Sequence, residues 1–269
     1  MHPFFYVFNL SIPAFAAMVF IAIAVSFGLV LVRIGKKGCK SDTIHLFILA
    51  LCGAMFGAWF IYVVVNLPYA ISTWQYLRIS LSTMQALEVV ITSLSGTVFY
   101  GGLIGGVVFM FIYAKKYEIS LFAHTDLFVP ILLIAHSIGR VGCFLAGCCY
   151  GIQVSYSHPF SVVYPEASLF APGGVPLFAT PLLEIIVNLI ILCMVLLLQK
   201  FYITIHTGGV TVFYLTTYSI ARFIIEFFRG DIARGSFLWL YTSQWVSILV
   251  FVAGVYMWAA YIGKSQGFK

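Results

Sequence analysis

The sequence is dominated by apolar runs, each about as long as a membrane is thick. A helix that crosses the hydrocarbon core needs about 20 predominantly apolar residues. Seven segments approach this length, at residues 12–32, 45–65, 96–114, 127–150, 182–198, 209–228 and 238–262. Only 8% of the 269 residues are charged and 62% are hydrophobic, whereas soluble domains are about 25% charged. The predicted fold is an all-α integral membrane protein, one polytopic domain over residues 1–269 with about seven transmembrane helices.

The basic residues predict the orientation of these helices. Nine of the fourteen Lys and Arg residues follow the first, third, fifth or seventh segment. Because cytoplasmic loops are enriched in Lys and Arg, we expect the N-terminus outside and the C-terminus in the cytoplasm. Residues 66–95, with Pro68, Trp74 and Tyr76, are predicted to form an outward arm at the membrane interface. The net charge of +6 therefore reports orientation and does not indicate a nucleic acid partner.

The fourth segment contains polar residues that are rare inside a membrane. His136, Arg140 and Cys143 are spaced i, i+4 and i+7, so they share one face of a helix. An arginine near mid-bilayer costs roughly 2.5–3.5 kcal/mol on insertion scales, so it needs a partner or a polar cavity. Arg140 is therefore a candidate functional residue, and a purely structural arginine that joins two helices is the alternative.

A second arginine, Arg222, lies in the sixth segment at a similar distance from the predicted outward end. Glu226 is four residues further on, so it can pair with Arg222 within one helix turn. This pairing would leave Arg140 without an acid. Arginine binds phosphate through two parallel hydrogen bonds, so two arginines at one depth predict a site for a phospholipid headgroup.

Three cysteines close the fourth segment, at Cys143, Cys148 and Cys149. They can be small packing residues, or they can form an outward disulfide or a thiol that carries a lipid group. With His136 they could bind zinc, but the spacing C-x4-C-C differs from the usual ligand spacings. We expect no metal and no cofactor.

The segment around Arg140 resembles the signature of the prolipoprotein diacylglyceryl transferase family, Gly-Arg-x-Gly-Asn-Phe-x-x-Gly-Glu-x-x-Gly. The matching residues are Gly139, Arg140, Gly142, Phe144, Gly147 and Gly151. Cys143 replaces the usual Asn, and Cys148 replaces the usual Glu. Tyr100 to Gly105 is similar to the family's His-Gly-Gly-Leu-Ile-Gly, with Tyr100 in place of the His. The block from Arg222 to Arg229 and the region of Glu184 extend the resemblance over most of the chain.

The resemblance implies transfer of the diacylglyceryl group of phosphatidylglycerol to the thiol of a lipobox-bearing preprolipoprotein, at the outer side of the bacterial plasma membrane. It implies that Arg140 and Arg222 bind phosphate, that Glu226 orients Arg222, and that His136 or Tyr100 handles the proton. The residues expected to contact substrate are Gly101, Gly102, Gly105, Gly142, Cys143, Gly151 and Arg229. We expect a multi-pass monomer whose partners are membrane lipid and the protein substrate.

Two other functions stay open. A sister transferase on the same scaffold could serve a different acceptor, which the cysteines and Tyr100 favour. A lipid-binding or transport protein without catalysis would retain the arginines but form no product.

Overall fold

Helices make up most of the chain. The computed structural model describes residues 4–7, 10–34, 40–80, 82–96, 98–166, 168, 170–201, 207–231 and 235–266. The helices within these residues are α1 (Ala14–Ile34), α2 (Lys40–Ser80), α3 (Thr83–Ser93), α4 (Phe99–Lys116), α5 (Leu121–Ala146), α6 (Thr180–Phe201), α7 (Gly209–Ile225) and α8 (Thr242–Gln266). A 3-10 turn, Glu226–Phe228, continues α7.

Six helices of the described chain are long and apolar enough to cross a membrane. They are Ala14–Ile34, Ser41–Ile79, Leu121–Ala146, Thr180–Phe201, Gly209–Phe228 and Thr242–Ala259. Large apolar side chains such as Phe20, Met55 and Ile79 are 72 to 83% exposed, as expected for helices that face lipid rather than water. The protein is therefore a mostly helical, multi-pass membrane protein. A seventh crossing and the orientation of the termini stay predictions.

Some boundaries differ from those predicted from the sequence. Helix α2 does not end near residue 65 but continues through Pro68 to Ser80. Helix α5 begins at Leu121 and ends at Ala146, so Cys148 and Cys149 follow the helix instead of lying in it. Several basic residues used for the orientation lie outside the described residues: Lys36, Lys37, Arg234 and Lys269.

Short strands add to the predicted helical fold. Three antiparallel pairs join β1 (Phe4–Val7) to β2 (Leu10–Pro13), β3 (Ser161–Val163) to β4 (Pro176–Phe178), and β5 (Ser236–Phe237) to β6 (Leu240–Tyr241). The β3–β4 pair organises the long connection between α5 and α6 around a small core that includes the buried Tyr164. We call this connection, between the end of α5 at Ala146 and the start of α6 at Thr180, the cap.

The chain forms two compact units. The first contains residues Met1–Arg33 and Thr125–Lys269, and the second contains Ile34–His124. In the first unit, Val129 and Leu133 of α5 pack with Ile191 and Val195 of α6 and with Val210 of α7. Regular spacing of three and four residues on each helix produces this apolar core.

A polar cluster lies where α5, α6 and α7 meet in the first unit. We call it the Asp126 cluster, and it consists of Asp126, Thr211, Gly208, Gln199 and Arg33. The carboxylate of Asp126 accepts hydrogen bonds from the backbone N–H groups of Gly208, at 2.6 Å, and Thr211, at 2.7 Å. Asp126, which lies on α5, thereby caps the N-terminus of α7. Arg33 donates to the Leu127 carbonyl and to the Gln199 amide oxygen.

In the second unit, glycines let α2 and α4 pack closely. Gly53 and Gly57 of α2 face Gly101 and Gly105 of α4, and a Cβ added at Gly53 would lie 2.5 Å from the Gly105 carbonyl oxygen. Spacing of four residues between small side chains on both helices is typical of membrane helix pairs. These glycines therefore have a packing role that the sequence interpretation did not assign to them.

Candidate active site

Arg140 and Arg222 lie close together and share a carboxylate. Arg140 lies on α5, six residues before its end at Ala146, and Arg222 lies near the end of α7. Glu184 of α6 forms ion pairs with both: its Oε2 pairs with Arg140 Nε, and its Oε1 lies 3.2 Å from a terminal nitrogen of Arg222. The prediction that the two arginines lie at one site is consistent with this geometry.

The expectation that Arg140 has no acid partner is wrong, because Glu184 supplies one. Glu184 lies one turn inside α6, which begins at Thr180 and Pro181. The sequence interpretation placed Glu184 within the family resemblance but gave it no role in the site. The available signal was a lone glutamate in an otherwise apolar helix, since such residues are rare and usually paired.

Glu226 pairs with Arg222 as its spacing predicts. The Glu226 Oε2 lies 2.8 Å from Arg222 Nη2, one turn further along the chain. The side chains of Glu184 and Glu226 are 2% and 0% exposed, whereas each arginine is 15% exposed. The buried carboxylates therefore hold the arginines in place, and a ligand can reach the guanidinium groups but not the acids.

This cluster, which we call the arginine cluster and which consists of Arg140, Arg222, Glu184 and Glu226, has equal numbers of opposite charges. One carboxylate shared by two guanidinium groups keeps two cations near each other without neutralising either completely. The two guanidinium groups together have about ten N–H donors, whereas the two carboxylates offer about eight lone-pair sites. The arrangement can therefore hold a phosphate, which accepts several hydrogen bonds and carries negative charge.

His136 contacts Arg140 directly. The Arg140 Nε atom donates to His136 Nε2 at 3.2 Å, and the imidazole ring packs edge-on against Tyr218, with ring centroids 5.6 Å apart. A nitrogen that accepts from a guanidinium is neutral and uses its lone pair in that bond. His136 therefore helps to orient Arg140 in this structure, and it can accept a proton at Nε2 only when the single N–H of Arg140 Nε goes to its other neighbour, Glu184 Oε2.

Glycines near Arg140 differ in what surrounds them. A Cβ added at Gly139 would meet no atom within 4 Å, so there is open space beside Arg140. At Gly142 a Cβ would lie 3.0 Å from Met18, and at Gly151 it would lie 2.6 Å from the carbonyl oxygens of Phe178 and Phe228. Gly142 and Gly151 therefore allow close packing of α1 and of the cap, whereas no described atom packs against Gly139.

The cap is fastened to the end of α7 beside this cluster. The Gly151 N–H donates to Phe178, and the Ile152 N–H donates to Phe228. Arg229, expected to contact substrate, forms a two-point ion pair with Asp231, at 3.0 and 2.5 Å. The cap thus ties the chain after α5 to the chain after α7, and Arg229 is held by an acid of its own.

The three cysteines are neighbours in space. Their Sγ atoms all lie within 4.8 Å of one another, and all three are free thiols. Cys143 Sγ also lies 4.0 Å from an Arg140 terminal nitrogen. The disulfide considered from the sequence is absent among these three residues, and the thiols lie at the edge of the arginine cluster.

One further polar residue lies on the buried face of α6. Asn188, one turn after Glu184, is 1% exposed, and neither its amide nitrogen nor its amide oxygen has a hydrogen-bond partner among the described residues. An unsatisfied buried amide costs free energy of folding. A residue of this kind on the face of Glu184 is a candidate for contact with a ligand, and the sequence interpretation did not include it.

The residues of the other motif belong to the second compact unit. Tyr100, Gly101, Gly102 and Gly105 lie on α4. Gly101, Gly102 and Gly105 face α2 closely, and Tyr100 packs edge-on against Phe99. Their predicted contact with substrate stays a prediction.

Comparison with known proteins gives one consistent result. A family model described as prolipoprotein diacylglyceryl transferase matches residues 3–260. A phosphatidylglycerol–prolipoprotein diacylglyceryl transferase of Clostridium tetani (strain Massachusetts / E88) is 30% identical over 254 residues, 94% of each chain. The protein named transferase 2 of Clostridium perfringens (strain 13 / Type A) is 31% identical over 265 residues, 98% of this chain and 95% of that one. One from Streptococcus mutans serotype c (strain ATCC 700610 / UA159) is 32% identical over 226 residues, 82% of this chain and 79% of that one.

Proposed function

This chain belongs to the prolipoprotein diacylglyceryl transferase family, and from that premise we propose that it transfers the diacylglyceryl group of phosphatidylglycerol to a preprolipoprotein. The acceptor is a cysteine thiol of the lipobox. We place the reaction at the outer side of the bacterial plasma membrane, with a chain that crosses seven times, N-terminus outside and C-terminus inside. The chain acts as a monomer, and residues 66–95 include the interfacial arm.

The reaction is a displacement at carbon by sulfur. The substrate thiolate attacks the carbon of the diacylglyceryl group that is bonded to the phosphate oxygen. A C–S bond forms, that C–O bond breaks, and glycerol phosphate leaves with the oxygen. Negative charge grows on the departing phosphate in the transition state. Catalysis therefore needs fixed positive charge at that oxygen more than it needs a nucleophile from the enzyme.

Arg140 and Arg222 supply this charge. Both guanidinium groups are partly exposed and fastened to the same buried carboxylate, so their spacing is set before the lipid arrives. Glu226 fixes the other side of Arg222. Preorganised donors of this kind contribute about 10²–10³-fold to turnover.

His136 and Tyr100 are the candidates for the substrate's proton. The single N–H of Arg140 Nε can go to Glu184 Oε2 instead of His136 Nε2, and the imidazole nitrogen then accepts the proton of the lipobox thiol. A neutral tyrosine has an unperturbed pKa of about 10 and is a poor base at pH 7. His136 is therefore the base in this proposal, and contact of Tyr100, Gly101, Gly102 and Gly105 with substrate stays a prediction from the resemblance.

The observation that carries the proposal is the pair of arginines joined through Glu184. Its test is release of glycerol phosphate from labelled phosphatidylglycerol with a lipobox peptide, measured on the purified chain and on Arg140→Lys. Lysine keeps the charge but loses the two-point geometry, so we expect about a 10²-fold loss in kcat.

Arg33→Lys is the matched control, because Arg33 binds neutral oxygens in the Asp126 cluster. It should keep nearly full activity. Equal activity of Arg140→Lys and the unchanged chain would contradict a phosphate role for Arg140.

A sister transferase with another acceptor is the second candidate, favoured by Tyr100 and Cys143 in place of the family's usual His and Asn. It predicts release of glycerol phosphate in native membranes, where its own acceptor takes the diacylglyceryl group, and no release from the purified chain with the lipobox peptide alone. A lipid-binding protein without catalysis predicts that phosphatidylglycerol binds but glycerol phosphate never appears. The assay therefore separates all three functions when it is run both on native membranes and on the purified chain with the lipobox peptide.

A further inference from the structure

Three thiols meet where α5 ends, and the proposed transfer does not use their sulfur atoms. The Sγ atoms of Cys143, Cys148 and Cys149 lie within 4.8 Å of one another. Cys143 is buried, and Cys148 and Cys149 are partly exposed. Three free thiols this close are a potential ligand set, because the thiolate form of cysteine binds thiophilic metals.

The hydrogen bonds at the C-terminal end of α5 explain why two of these thiols meet. Gly147 follows α5 with φ of +75°, the left-handed conformation that glycine adopts most easily. The Cys148 N–H donates to the Cys143 carbonyl at 3.1 Å, and the Gly147 N–H donates to the Phe144 carbonyl at 3.4 Å. These two bonds form a Schellman motif, which brings the side chains at its two ends together. Here those ends are Cys143 and Cys148.

The third thiol joins them through an unusual backbone conformation. Cys149 has φ of +58°, a region that few residues other than glycine occupy. Conformations of this kind cluster at functional sites. Two consecutive cysteines in an extended chain point to opposite sides, whereas this turn leaves Cys148 and Cys149 both close to Cys143.

Two further groups lie beside the thiols. An Arg140 terminal nitrogen lies 4.0 Å from Cys143 Sγ. Tyr164 packs its ring beside Gly147. The Tyr164 side chain is 1% exposed, and its hydroxyl has no hydrogen-bond partner among the described residues. A thiolate or a metal-bound group would give that hydroxyl an acceptor.

We propose that Cys143, Cys148 and Cys149 form a three-thiolate site for a divalent thiophilic cation of the zinc group. Each thiol gives up one proton as its sulfur binds, and no atom is oxidised or reduced. A tetrahedral ion with a metal–sulfur distance of about 2.3 Å needs sulfurs about 3.8 Å apart. The present separations, at most 4.8 Å, therefore require only small rotations of the side chains. Three protein ligands leave the fourth position open, as in catalytic rather than structural sites.

Occupation of this site would act on the arginine cluster. Three thiolates around a divalent cation carry one net negative charge, and Cys143 Sγ already contacts Arg140. The occupied site should therefore attract the Arg140 guanidinium and weaken its hold on phosphate. This regulatory effect rests on the proposed function, whereas the binding of the metal does not.

The test uses Cd²⁺ as the probe, because thiolate ligands give cadmium a charge-transfer absorption in the ultraviolet. The full-length chain in detergent carries Cys39→Ser, Cys52→Ser and Cys193→Ser, so only the cluster thiols remain. Titration under a reducing phosphine should give one Cd²⁺ per chain, the absorption band, release of protons, and competition by Zn²⁺ only in large excess.

Cys148→Ser in the same background is the matched control. Loss of an outer partner of a metal ligand costs about 10–100-fold in affinity, so loss of a ligand should weaken Cd²⁺ binding at least about 100-fold. An unchanged affinity, an absent band, or a Cys143–Cys148 disulfide that persists under the reductant would each overturn the site.

An activity measurement separates the metal site from the proposed reaction. Zn²⁺ should raise the KM for phosphatidylglycerol in the background variant and should have no effect on Cys148→Ser, each compared with its own metal-free activity. A cadmium band in a chain with no transferase activity would support the site while contradicting the proposed function. Equal inhibition of both variants by Zn²⁺ would overturn the coupling to Arg140.

Discussion

The Asp126 cluster and the arginine cluster are both built from charged residues on α5 and its neighbours, yet they use their charges differently. In the Asp126 cluster, the carboxylate accepts from the backbone N–H groups and the hydroxyl at the start of α7. Arg33 donates to neutral oxygens. These bonds replace the partners that a helix end would otherwise find in water, so the cluster stabilises the fold.

In the arginine cluster, each charged side chain is paired with a side chain of opposite charge. Glu184 serves two cations, and the cations rather than the acids retain exposure. Breaking a buried ion pair is costly, but forming one adds little stability over apolar packing. A cluster that stabilises the fold so inefficiently, with both guanidinium groups partly exposed, is better explained by a ligand than by folding. The partners of a buried charge therefore reveal its role more clearly than its burial does.

The largest effect should follow from Glu184→Gln. The substitution removes the negative charge between two arginines while keeping the shape, so the guanidinium groups repel each other and lose their fixed spacing. We expect about a 10²–10³-fold loss in kcat for glycerol phosphate release, together with a lower melting temperature in detergent. Activity within twofold of the unchanged chain would show that Glu184 does not organise the site.

Asp126→Asn should give the opposite pattern. The amide can accept only at one oxygen, so α7 loses part of its N-terminal cap, which is worth roughly 1–2 kcal/mol. Thermal unfolding in detergent should shift to lower temperature, while kcat at a temperature where the protein stays folded should not change. A large loss in kcat without loss of stability would place Asp126 in the functional machinery and remove the contrast between the two clusters.

Gly142→Ala tests packing beside Arg140 and should have a smaller effect. The new Cβ would lie 3.0 Å from Met18 and 3.3 Å from the Phe15 backbone, so α1 and α5 must separate by a few tenths of an ångström. We expect a destabilisation of about 1 kcal/mol and a modest loss in activity. Gly139→Ala is the matched control for stability, because a Cβ there meets open space, and an equal loss of stability in both variants would contradict the packing assignment.

The smallest change in stability should come from Asn188→Leu. Leucine removes an amide that has no hydrogen-bond partner among the described residues, so the melting temperature should rise slightly. Activity should nevertheless fall several-fold if the amide contacts the lipid headgroup, as its place one turn after Glu184 indicates. A rise in melting temperature with unchanged KM for phosphatidylglycerol would show that the Asn188 amide does not contact the lipid headgroup.

Much of the helical fold was accessible from the sequence, because apolar length is a local property. Two arginines at one site and the Arg222–Glu226 pair were accessible for the same reason: helix spacing determines depth and neighbours. The role of Glu184 was not, since it depends on how α6 packs beside α5 and α7. No spacing within one helix reports that packing.

The cysteines show a second limit. The spacing C-x4-C-C differs from familiar ligand spacings, so the spacing alone did not indicate that the three thiols meet. Gly147 was the missing signal: a glycine placed four residues after Cys143 and just before Cys148 predicts a Schellman cap, and that cap brings both thiols together. The glycines of α4 were interpreted as lipid contacts, although Gly53 and Gly57 on α2 already indicated a close helix pair.

The most direct measurement of the central idea is a double-mutant cycle on kcat/KM for glycerol phosphate release, with Arg140→Lys, Arg222→Lys and both together. If the two arginines hold one phosphate through one shared carboxylate, the second substitution should cost far less than it costs alone, with a coupling energy above about 1 kcal/mol. Losses that add within about 0.5 kcal/mol would mean that the arginines act independently, and a single phosphate site between them would be contradicted.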